Sequence, residues 1–158
     1  MGYESLTQQN PLRVLNMGRD NNQMGLVVAR AGLGKTALLV QIALDAILRG
    51  RRVIHVSIGQ GIDKTKAWYD DILQLILNEH SVAHPHELIE MVACHRMIMT
   101  FQAASFSRSR LEERLNDLIL QDIFRPNCLI VDGFDFSSAN REEVEDLKNL
   151  MEVMNLQS

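Results

Sequence analysis

Four short apolar runs, each followed by a helical pattern, constrain this chain more than any other feature. The first, residues 25–31 (GLVVARA), ends at glycines and reads as a buried strand. Residues 37–48 are then apolar except Gln41 and Asp45, and the pattern stops at Gly50 with Arg49 in the last turn. That is a helix covered on nearly all sides with a glycine C-cap. The second run, residues 53–58, is rich in β-branched residues and closes at Gly59 and Gly61. A helix follows with Asp63 as the expected N-cap and Trp68, Ile72, Leu75 and Ile76 on one face. Pro85 in a first turn, before Leu88, Ile89 and Val92, predicts a further short helix.

The third run, MIMTF at 97–101, precedes a segment with Ser109 and Glu112 at capping-box spacing. Leu111, Leu115, Leu118 and Ile119 make the inner stripe of that predicted helix. The fourth run, residues 128–131, ends at Asp132 and Gly133, and a last helix carries Val144, Leu147, Met151 and Met154 on one face. Strand and helix alternate with no hairpin signal, which requires crossover connections and a mainly parallel sheet covered on both faces, a three-layer α/β/α architecture. Ligands of such sheets sit beyond the carboxyl ends of the strands.

One domain fits 158 residues of which 46% are hydrophobic. Residues 1–24 read as a polar leader and 25–158 as the folded domain. Sixteen Lys and Arg against 20 Asp and Glu leave a formal charge of -4, so charge gives no support to a nucleic-acid partner. The start lacks the basic and long apolar regions of a signal peptide, and no window reaches transmembrane length, so a cytoplasmic protein without membrane contact is expected. Cys94 and Cys128 read as reduced thiols.

ARAGLGKT, at 29–36, has the form of a phosphate cradle. Gly32 and Gly34 allow a tight backbone whose N–H groups converge, Lys35 supplies a charge for the β- and γ-phosphates, and Thr36 supplies a hydroxyl for Mg²⁺. The helix beginning there adds its positive dipole end. Ala29 replaces the usual first glycine at the strand exit, where a methyl is tolerated. A carboxylate where a later strand emerges would orient the waters of that metal, and Asp132 stands there.

These segments resemble the RecA-like P-loop ATPases, most closely the branch holding DnaB-type helicases and KaiC-type ATPases. The resemblance covers roughly residues 25–135 and rests on the cradle, on VSIGQ after the second strand and on LIVDGFDF at the fourth. It implies a RecA-like core that binds ATP or ADP on Ala31, Gly32, Leu33, Gly34, Lys35, Thr36 and Ala37, with Mg²⁺ at Thr36 and Asp132, and a ring-shaped homo-oligomer. In that family the second strand ends with a glutamate that activates water. Here Gly59 and Gln60 follow Ser57 and Ile58, so catalysis falls to Lys35, Asp132 and Gln60, and Gln60 can orient a water but not take its proton. Slow ATP hydrolysis is one expectation and a non-hydrolysing nucleotide switch the other; a helicase or recombinase fragment ranks below both. The family also places a fifth strand beyond the aspartate strand and its helix, and this core is expected to lack it. Arg108, Arg110 and Arg141 are available as an arginine finger.

Three other groupings carry weaker signals. His80, His84, His86, Cys94 and His95 crowd together without the cysteine pairs of a structural zinc site, and read as a polar loop and exposed helix. Arg49, Arg51 and Arg52 complement a helix C-terminus. Phe134 and Phe136 read as packing under their loop with Asn140 capping the last helix, and the alternative is that Asp135 or Ser137 senses a γ-phosphate.

Overall fold

The computed structural model describes residues 35–126 and 128–133. The leader, the predicted first strand, the cradle residues Ala31, Gly32, Leu33 and Gly34, and all residues from Phe134 onward, including the last predicted helix and Arg141, lie outside the described residues. The described elements run α1 (Lys35–Leu48), β1 (Val53–Ile58), α2 (Ile62–His80), α3 (Pro85–His95), β2 (Arg96–Phe101), a 3₁₀ turn (Ala103–Ser105), α4 (Arg108–Leu120) and β3 (Cys128–Asp132). The three strands form an open, all-parallel sheet in the order β2-β1-β3. Val53 of β1 faces Arg96 on one side and Cys128 on the other, and Ser57 pairs with Asp132.

Both faces of this sheet are covered, so β1 is buried along its whole length. On one face Val53, Cys128 and Ile130 pack with Val40, Leu44 and Ile47 of α1, Tyr69 and Leu73 of α2, and Leu88 and Val92 of α3. On the other, Ile54, Val56, Met99, Phe101 and Leu129 pack with Leu111 and Leu115 of α4 and with Phe124. Alternate strand residues thus feed two separate cores, which gives a helix layer, a sheet and a second helix layer. Among the described residues no helix is long and apolar enough to cross a membrane.

The helix ends follow local chemistry. Gly50, at φ 86°, closes α1: its N–H donates to the Ile47 carbonyl at 2.8 Å and the Arg51 N–H to Ala46 at 3.0 Å, the expected glycine cap. Arg49, just past the end of α1, pairs with Asp45 of that helix at 3.1 Å. Pro85 opens α3 as predicted. Two expectations are corrected. Gly61, not Asp63, is the N-cap of α2, and Asp63 sits in the first turn. Ser107, not Ser109, caps α4, its hydroxyl accepting from the Arg110 N–H at 3.3 Å.

The buried stripe of α2 also differs from the expectation. Thr65, Tyr69 and Leu73 are buried, with Ile72 and Ile76 partly so, while Trp68 and Leu75 are exposed. Thr65 and Tyr69 face the sheet in place of Trp68 and Leu75 because they have polar partners beneath them on β1.

The thiols differ in setting: Cys94 is exposed, whereas burial pushes the Cys128 thiol up to about 11. A disulfide reagent at neutral pH is expected to titrate one of the two thiols in native protein and both after unfolding; two fast native thiols would contradict the buried placement of Cys128.

Candidate functional site

Lys35 and Thr36 are the first two residues of α1, and Asp132 is the last residue of β3. The sheet–helix packing brings them together across 96 positions of sequence: the Thr36 hydroxyl donates to Asp132 Oδ2 at 2.9 Å. A hydroxyl and a carboxylate at a helix N-terminus are hard oxygen donors, which fits Mg²⁺. Ala37 follows in the same turn and is half-buried. Burial by itself would raise the Asp132 carboxyl; its contacts with His55 and Thr36 and the charge of Lys35 outweigh that and hold it below the ordinary range.

A carboxylate depressed in the folded state stabilises the protein fully above its unfolded value of about 4, and the contribution is lost as the pH falls through the folded value. The urea midpoint of the wild type is therefore expected to drop more steeply below about pH 5 than that of Asp132→Asn, which has no such group to protonate. Parallel profiles would show that the Thr36 and His55 contacts do not favour the ionised form.

Behind Asp132 lies a polar file that sequence reasoning missed. His55, wholly buried in the middle of β1, approaches Tyr69 Oη at 2.7 Å through Nδ1 and Asp132 Oδ2 at 3.8 Å through Nε2. The second distance is too long for a hydrogen bond, so Nε2 has no partner among the described residues. Such an orphaned buried group costs roughly 1–3 kcal/mol. Tyr69 is wholly buried, Arg96 stacks on its ring at 4.9 Å, and burial holds its hydroxyl far above the ordinary value against the opposing pull of that charge. Two residues further along β1, Ser57 accepts from Thr65 at 3.3 Å. The signal was present: His55 and Ser57 alternate in an otherwise apolar strand, which puts both on one face, and Thr65 and Tyr69 stand one helical turn apart.

Gly59 adopts φ 81°, and its N–H donates to the Phe101 carbonyl at 2.9 Å. A Cβ there would meet nothing closer than Ala103 at 3.8 Å, so glycine is needed for the backbone conformation rather than for space. A glutamate at this position would be strained. Gln60 lines an open cavity of about 1090 Å³ with Thr100, Phe101 and the α4 residues Arg110 and Arg114, and the lining does not include Lys35, Thr36 or Asp132. Its Oε1 is buried without a hydrogen-bond partner among the described residues. Thr36 and Asp132 thus meet, and Gln60 lines a cavity whose lining includes neither of them. Of the candidate arginines, Arg110 lines that cavity and Arg108 lies 3.5 Å from Glu112.

The histidine-rich stretch is spread along two helices: His80 ends α2, His84 precedes α3, and His95 Nδ1 donates to the Met91 carbonyl at 2.9 Å. Among the described residues no group of three or more His, Cys, Asp or Glu could hold a metal ion. No protein-family model matches the chain, and no curated protein matches it.

Proposed function

We propose that this protein binds ATP with Mg²⁺ at the start of α1, in a RecA-like α/β/α core, and turns it over slowly. One observation carries the reading: the Thr36 hydroxyl and the Asp132 carboxylate meet at 2.9 Å although the sequence separates them by 96 positions. A GKT sequence arising by chance has no reason to open a helix directly against an aspartate emerging from a parallel strand.

Each residue then has one task. Lys35 offers a fixed charge to the terminal phosphates, and Thr36 and Asp132 supply oxygen donors for the cation. Bound Mg²⁺ would neutralise charge developing on the phosphates. Asp132, kept ionised by its neighbours, is ready to accept from a cation's water without first losing a proton.

The end of β1 favours low turnover. Gly59 has no proton chemistry and a left-handed φ that disfavours other residues, so no general base stands where the resembled family has one. The second reading, a nucleotide-dependent switch or assembly module without hydrolysis, draws on the same observation. Calorimetry with ATP and Mg²⁺, followed by phosphate release from the same preparation, separates the outcomes. Binding with turnover well below the usual enzyme median of about 10 s⁻¹ is expected. Binding without any release would select the switch, and no binding would remove both.

A further inference from the structure

We propose that His55 is the positioning residue of Asp132: Tyr69 fixes its tautomer, and the Nε2–H so presented faces Oδ2 and holds the carboxylate in place beside the Thr36 hydroxyl. The proposal rests on the reading of Asp132 as a cation ligand. Asp132 Oδ2 accepts from Thr36 at 2.9 Å and faces His55 Nε2 at 3.8 Å, so one oxygen lies between two donors, one engaged and one just out of range. A Thr36 hydroxyl has one proton and two lone pairs, so it can serve a cation through its oxygen while still donating to Oδ2. Among the described residues, His55 is the second donor that faces Oδ2.

The tautomer follows from what surrounds the ring. The Tyr69 hydroxyl can donate to Nδ1 or accept from it at 2.7 Å. If it accepted, Nε2 would turn a lone pair toward a carboxylate across a water-excluding interface. With Tyr69 donating, the ring's one proton sits on Nε2 and faces the carboxylate. Arg96 stacks on the Tyr69 ring at 4.9 Å, where its charge favours an electron-rich phenol face. A second link between β1 and α2, Thr65 to Ser57, holds the helix in the rotation that places Tyr69 over His55. Ligand-orienting partners of this kind are worth 10–100-fold in metal affinity where they have been removed.

The test uses the full chain and two independent measurements. Nitrogen NMR of the free protein, with the His55 resonance identified by its loss in His55→Gln, is expected to show the Nε2–H tautomer in the wild type and a mixture in Tyr69→Phe. ATP affinity is then measured by calorimetry in chelator and in Mg²⁺, and the ratio of the two is the readout. A glutamine amide nitrogen overlays Nε2 and an asparagine one overlays Nδ1. His55→Gln is therefore expected to keep the Mg²⁺ enhancement within about threefold, and His55→Asn to lose about tenfold, with affinity in chelator unchanged in both. Equal losses in the two variants, or an Nδ1–H tautomer in the wild type, would overturn the proposal. A wild type that binds no ATP removes the nucleotide reading and leaves the tautomer to decide this one.

Discussion

Gly133→Ala is expected to destabilise the protein by about 3 kcal/mol, the largest loss of any single methyl addition among its described glycines. Two penalties coincide there. Gly133 has φ 94°, and a Cβ built on it would stand 2.3 Å from the Ile58 carbonyl oxygen and 3.2 Å from the carbonyl carbon. The left-handed backbone costs a non-glycine residue about 1–2 kcal/mol. The clash adds an overpacking cost of about 1–3 kcal/mol, because the obstructing atoms are backbone and cannot rotate away. Ile58 ends the central strand and pairs with Phe101 of β2, so moving it disturbs the sheet. Gly50→Ala is the control: its φ is 86° but nothing lies within 4 Å of the added Cβ, so only the first penalty applies. Urea denaturation of the two variants measures the difference, and equal losses would mean that the close approach at Ile58 relaxes freely. Because Gly133 follows Asp132, relief of the clash would also displace the carboxylate and weaken Mg²⁺-dependent binding.

Lys35→Ala is expected to weaken ATP binding about a hundredfold, from the loss of one charge-assisted contact worth about 3 kcal/mol. The helix N-terminus and the backbone of the cradle remain, so binding should weaken rather than vanish at high ATP concentration. The fold should survive, since Lys35 is a half-buried first-turn residue outside both apolar cores. Its charge also helps hold the Asp132 carboxyl down, so the variant should show a weaker acid limb in its stability profile than the wild type. Calorimetry gives the affinity directly. Unchanged affinity, with a normal circular dichroism spectrum, would remove the phosphate cradle from consideration.

Much of the fold was legible locally. Three of the four strands fall in described residues and appear where β-branched and apolar runs stood between turn signals, and Gly50 and Pro85 mark the helix ends that their backbone restrictions demand. What misled was reading the face of α2 from hydrophobicity. Trp68 and Leu75 are its most conspicuous apolar residues, yet they face outward, because His55 and Ser57 bring Thr65 and Tyr69 to the sheet. A similar local ambiguity affected α4, where Ser107 and Ser109 are both plausible caps and only the path of the preceding turn chooses the first.

The sequence by itself determined the alternation of strands and helices and singled out Lys35, Thr36 and Asp132, since periodicity, glycine placement and residue chemistry are local properties. Only the tertiary structure decided that Thr36 and Asp132 share a hydrogen bond, that His55 and Tyr69 stand behind them, and that Gln60 lines a cavity with Arg110 and Arg114. Those relations depend on which strands pair and how each helix is rotated on the sheet. Both are set by the summed packing of two cores, and no short stretch of the chain encodes them.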